Sequence, residues 1–134
     1  EGSGARAGAR PAPPDAGAVI RADGVVAVLR FARGAELGRA ARAVAAGGVR
    51  ALELTLTTPG ALDTLAALAA DGSLPADALL GAGSVLDAAG AERALDAGAR
   101  FVVGPTFDAG VLATCRARGV PYVPGALTPT ELAA

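Results

Sequence analysis

An α/β fold with parallel strands is what this sequence predicts, and three observations carry the prediction. From residue 25 onward, short apolar runs alternate with alanine-rich stretches of helical period. Three joints look alike, GGVRALEL, AGARFVVG and RGVPYVPG: each is a glycine helix stop, one or two linker residues, then a strand entering a polar or glycine-rich turn. Single helices of this length between strands imply a parallel sheet with right-handed crossovers. An open doubly wound sheet and a closed barrel both fit that spacing.

Residues 1–17 (EGSGARAGARPAPPDAG) are low in complexity and poor in large apolar groups, so they are expected to form a disordered tail, leaving 18–134 as the domain. The first strand is expected at 25–29. A helix follows over 35–46, with Leu37, Ala40, Ala41, Val44 and Ala45 on one face, and Gly47-Gly48 ends it. The second strand is expected at 49–56. Thr58-Pro59 then offers a capping hydroxyl followed by proline at the first helical position, and Asp71-Gly72 breaks the helix. The third strand is expected at 78–80, and Asp87 can cap a helix that Gly98 closes. The fourth strand is expected at 101–103, with a helix over 108–118 closed by Gly119 and a fifth strand at 122–123. Thr128-Pro129-Thr130-Glu131 has the form of a capping box and announces one more helix. The sequence stops three residues later, so a partial domain is expected.

Composition excludes several functions. The chain is 52% hydrophobic but only 3% aromatic, so alanine, valine and leucine must form its core. Net charge is −1 with no basic stripe, which speaks against nucleic-acid binding. No apolar run reaches the roughly 18 residues a membrane span needs, and residues 1–17 lack the apolar stretch of a secretory signal. The absence of histidine removes the commonest metal ligand and general base, so no metal or cofactor is expected. Lysine is also absent: all twelve basic residues are arginine. The single cysteine, Cys115, cannot form an internal disulfide; it reads as a small buried hydrophobe or, alternatively, as a reactive thiol.

Glu53 is the most informative polar residue. In VRALELTL the period of two places Leu52, Leu54 and Leu56 on one face and Ala51, Glu53 and Thr55 on the other. Glutamate is depleted in strands and rarely buried unless paired. It is therefore either a solvated carboxylate or a general base whose pKa burial has raised. Arg30 ends the first strand, where parallel α/β proteins keep their sites. It is either a solvated loop residue or a guanidinium that holds a substrate carboxylate and pairs with Glu53. Gly81-Ala82-Gly83-Ser84 fails as a dinucleotide fingerprint because Leu86 stands at the third glycine position. Two glycines and a hydroxyl can instead let backbone N–H groups approach a small anion. Gly104-Pro105-Thr106 is a turn first, and it can line the mouth of a site.

The stretches GVVAVLR (24–30), AGGVRALELTLTTP (46–59), LLGAGSVLD (79–87), ARFVVGP (99–105) and VPYVPGALTPTEL (120–132) together resemble the family of 2-keto-3-deoxy-6-phosphogluconate (KDPG) and 4-hydroxy-2-oxoglutarate (KHG) aldolases. The resemblance covers nearly everything after Gly24. It implies a (β/α)8 TIM barrel, of which this chain holds about the first five βα units.

The resemblance implies class I chemistry: a lysine forms a Schiff base with the pyruvyl carbonyl, and a glutamate, matched by Glu53, moves the protons. Ser84 stands where the family has a threonine that binds the pyruvyl carboxylate. Arg30 matches an arginine of many members, and Pro105 a proline lining the pocket. Thr57 occupies the place of a carboxylate-binding arginine and is carried as a substrate-contacting candidate. The family's lysine lies on a sixth strand, so the chain is expected to be inactive alone. The expected substrate is a small keto acid, and the intact protein is expected to be a cytoplasmic homotrimer. Two rivals stand beside the aldolase: a non-catalytic barrel fragment, and another small phosphate-binding barrel enzyme.

Overall fold

The structure is a computed structural model and describes residues 14–133. Five strands, β1 (Ala27–Leu29), β2 (Ala51–Thr55), β3 (Leu79–Gly83), β4 (Phe101–Gly104) and β5 (Tyr122–Pro124), form one parallel sheet in chain order. Between them run α2 (Gly34–Ala46), α3 (Ala61–Asp71), α4 (Ala88–Asp96) and α5 (Ala109–Ala117), and α6 (Pro129–Ala133) follows β5. Sequential order with parallel pairing throughout is the βα progression that the joints announced. Among the described residues no helix is long and apolar enough to cross a membrane.

The caps explain where the helices start. Asp87 accepts from the Gly90 N–H (2.6 Å) and Asp108 from the Val111 N–H (2.8 Å). The capping box before α6 closes reciprocally: the Thr128 N–H donates to Glu131 Oε2 (2.9 Å) and the Glu131 N–H to Thr128 Oγ1 (3.3 Å). Thr58 departs from expectation. α3 begins at Ala61 with Gly60 in the capping position, and the Thr58 hydroxyl is engaged elsewhere.

An element absent from the sequence reading, α1 (Ala16–Asp23), precedes the first strand. Asp15 caps it, accepting from the N–H groups of Gly17 (2.9 Å) and Ala18 (3.3 Å). The expected tail through residue 17 is therefore corrected at its end: Asp15 holds the first turn and Ala16 is buried. The rest of that tail, residues 1–13, lies outside the described residues.

The sheet separates two apolar clusters. On the helix side, Leu29, Leu52, Leu54, Leu80, Ala82 and Val102 pack against Leu37, Leu65, Val111 and their neighbours. Cys115 is fully buried in this cluster, and burial pushes its thiol up from the ordinary value. On the opposite face, Ala51, Leu79 and Phe101 pack against Ala16 and Val19 of α1. α1 thus plugs the end of the sheet where the strands begin. That second face is bare toward its edges: Val28 of β1 is 59% exposed and Val123 of β5 45%. Among the described residues β1 and β5 each pair with one strand only.

Candidate active site

The second face is built row by row from parallel register. Glu53 of β2 pairs with Val28 of β1 and with Gly81 of β3, and Gly81 pairs with Phe101 of β4. In-register neighbours in a sheet share a face, so Glu53 stands in an apolar row on the side away from the helices. It is 6% exposed, which removes the solvated reading.

The glycines of GAGS serve volume rather than turning. A Cβ at Gly81 would overlap the ring of Phe101, and one at Gly83 would overlap the carboxyl of Glu53. Phe101 therefore fills the row beside Glu53. The Glu53 side chain leans across to β3 one pair further along, toward the ends of the strands. Burial pushes the Glu53 carboxyl above its ordinary range, and the nearby positive charge of Arg30 pulls it part of the way back.

The five residues singled out from sequence collect at one rim. Arg30 follows β1, Thr57 follows β2, Ser84 follows β3 and Pro105 follows β4, while Glu53 reaches that rim from within β2. This is the C-terminal end of the strands, where the βα loops of such folds build their sites. Arg30, Thr57 and Pro105 are exposed and Ser84 is half-buried. Arg30 acts on Glu53 through space: among the described residues, the ion pairs within 4.0 Å are others.

Ser84 has φ 61°, the one non-glycine residue in the left-handed region among those described. That conformation costs an L-residue about 1 kcal/mol or more, whereas glycine would sit there free of strain. The loop after β4 is fastened from β5. Tyr122 Oη donates to the Thr106 carbonyl (2.8 Å), and the Gly125 N–H donates to the Gly104 carbonyl (2.8 Å).

Three neighbours of the site were not singled out as candidates. Phe101 read as an ordinary strand apolar residue. Thr55 and Thr58 are 1% and 2% exposed and lie beneath the Arg30 loop. A threonine in a strand and another ahead of a proline carry no separate signal; their partners are brought to them by the β1–β2 register.

A parallel sheet with single helical crossovers and a buried carboxylate near the C-terminal ends of its strands defines an α/β scaffold, and comparison with known proteins makes the class specific. The family model for KDPG and KHG aldolase matches residues 17–134, and the chain belongs to that family. It is 41% identical over 108 residues to the 2-dehydro-3-deoxy-phosphogluconate aldolase of Treponema pallidum, an alignment covering 81% of this chain and 50% of the relative. The 2-keto-3-deoxy-6-phosphogluconate aldolase of Zymomonas mobilis superposes with a TM-score of 0.78 at 32% identity, over 90% of this chain and 56% of that one. The KDPG aldolase of Legionella pneumophila, with pyruvate captured as a covalent carbinolamine intermediate, superposes with a TM-score of 0.63 at 31% identity, over 81% and 50%.

The chain spans about half the length of the Treponema relative. Of the two architectures that spacing allowed, the barrel holds, and the sheet described here is five βα units of it.

Proposed function

We propose that this chain carries the proton-transfer and carboxylate-binding part of a class I aldolase site. The reaction is cleavage of 2-keto-3-deoxy-6-phosphogluconate or 4-hydroxy-2-oxoglutarate to pyruvate and an aldehyde. The observation that supports it most is Glu53: a carboxylate buried on the face away from the helices, turned to the C-terminal rim, with its pKa raised by burial. A base poised closer to neutrality is better matched to taking and returning protons.

In this reading an amine condenses with the substrate ketone, and the protonated imine draws electrons from the breaking C–C bond. Glu53 accepts the proton of the hydroxyl that becomes the aldehyde, then returns a proton to the enamine carbon. Arg30 and the Ser84 hydroxyl hold the keto-acid carboxylate, while Thr57 and Pro105 line the rim. The carbinolamine captured in the Legionella relative is the chemistry expected of such an amine. This sequence contains no lysine, so the same reading has the chain inactive in isolation.

A chimera tests the reading, with residues 17–134 replacing the matching segment of the Zymomonas aldolase. Borohydride with pyruvate should trap an adduct on the chimera and none on this chain, apart from its N-terminal amine. Glu53→Gln in the chimera should lower kcat by about 100-fold or more while the adduct still forms. Undiminished turnover in that variant would remove Glu53 from the mechanism.

A further inference from the structure

Arg30 sits at the end of a three-residue strand that pairs on one side only among the described residues, so the backbone gives its loop little support. Two buried hydroxyls stand in. Thr55 Oγ1 donates to the carbonyl of Leu29 (3.0 Å), the residue before Arg30. The N–H of Phe31, the residue after it, donates to Thr58 Oγ1 (3.2 Å). The two hydroxyl oxygens lie 3.5 Å apart. Each hydroxyl has one hydrogen. With that of Thr55 committed to Leu29, a hydrogen bond across this long contact can run only from Thr58 to Thr55. A single directed chain results, from the Phe31 N–H through Thr58 and Thr55 to the Leu29 carbonyl, and it brackets Arg30 on both sides.

We propose that Thr55 and Thr58 are positioning residues that fix where the Arg30 side chain leaves the backbone, so that its guanidinium meets the carboxylate of a keto-acid substrate at the rim. The inference rests on the reading of Arg30 given above. Neither threonine touches substrate; both act through the arginine. Valine at either position keeps the shape and breaks the chain, whereas serine keeps the hydroxyl.

The Glu53 carboxyl reports the position of Arg30 without any turnover. Arg30 is the charged group that acts on it: β3 presents Gly81, Gly83 and the Ser84 hydroxyl, β4 presents Phe101 and Val103, and the Asp23–Arg50 pair lies at the far end of the strands. The experiment is a carboxyl-carbon NMR titration of Glu53 in the full chain, in parent, Thr58→Val, Thr55→Val, Arg30→Gln and Thr58→Val/Arg30→Gln proteins. Freeing or removing the guanidinium should move the Glu53 midpoint upward in every variant. The double variant should match Arg30→Gln alone, Thr58→Ser should restore the parent midpoint, and Phe31 amide exchange should quicken in Thr58→Val.

An unchanged Glu53 midpoint in folded Thr58→Val overturns the proposal, as does a further shift on adding Thr58→Val to Arg30→Gln. Should a valine variant fail to fold, Thr58→Ala against Thr58→Ser carries the same comparison. Failure here leaves the Glu53→Gln result in the chimera untouched, so the positioning role and the reaction are judged separately.

Discussion

The two ends of strand β2 hold one arginine each nearby, and they are built on opposite principles. Where the strand begins, Arg50 grips Asp23 at the end of α1 with two hydrogen bonds, Nε to Oδ2 at 2.8 Å and Nη2 to Oδ1 at 2.5 Å. Asp77 lies 4.0 Å from the same guanidinium. Where the strand ends, Arg30 is held by its backbone and acts on Glu53 from a distance. At the first end charge is matched by charge, and the pair latches α1 over an apolar plug. At the second, a carboxylate is buried with its charge only partly compensated. An ion pair open to solvent fixes a geometry and adds little stability, whereas a buried carboxylate whose charge is only partly compensated has its pKa raised.

The strongest way to break this contrast is to remove the apolar wall between the ends. Phe101 belongs to the plug through α1 and stands in the same row as Glu53 through Gly81. Phe101→Ala should cost about 3–5 kcal/mol by chemical denaturation, the range for deleting a fully buried aromatic ring. Phe101→Leu, which keeps the fold, should also lower the Glu53 midpoint, because water reaches what the ring had dried. Gly81→Ala pushes on the same ring from the other side and should cost about 1–3 kcal/mol. A stable Gly81→Ala protein with an unmoved Glu53 midpoint would show that the row is not close-packed.

Much of this arrangement was legible before any coordinates. The alternation in VRALELTL placed Glu53 on the face away from the leucines, and burial on both faces followed from the fold. Asp87 and the Thr128–Glu131 box capped their helices as the residue types required, since capping is a local interaction. What escaped was non-local. β3 runs on through Gly83 although glycine is depleted in strands; its two glycines answer to a ring on β4 and a carboxyl on β2, which no window of sequence contains. Only Ala16 and Gly17, the start of α1, fell within the expected tail, and the helix they open is held by burying Ala16 and Val19 under the sheet. Thr58 looked like a cap because a proline follows it, yet the β1 loop had the prior claim on its hydroxyl.

A smaller effect sharpens the contrast further, because the two ends should respond oppositely to pH. Glu53 has its folded pKa raised by burial. Its contribution to stability is therefore full below the ordinary glutamate value and is lost as pH rises through the folded value. Glu53→Gln should raise Tm near neutral pH relative to the parent, and the gain should vanish below about pH 4. Asp23 has its folded pKa lowered, first by its hydrogen bond with Arg50. Its contribution is present above the ordinary aspartate value and lost as pH falls through the folded one. Asp23→Asn should then lower Tm slightly near neutral pH, with the deficit closing in acid. The Asp23 effect should be the weaker of the two, since solvent screens that pair. If both variants lowered Tm near neutral pH, Glu53 would be held by compensating contacts like those of Asp23, and the division of the strand into a latched end and a poised end would fail.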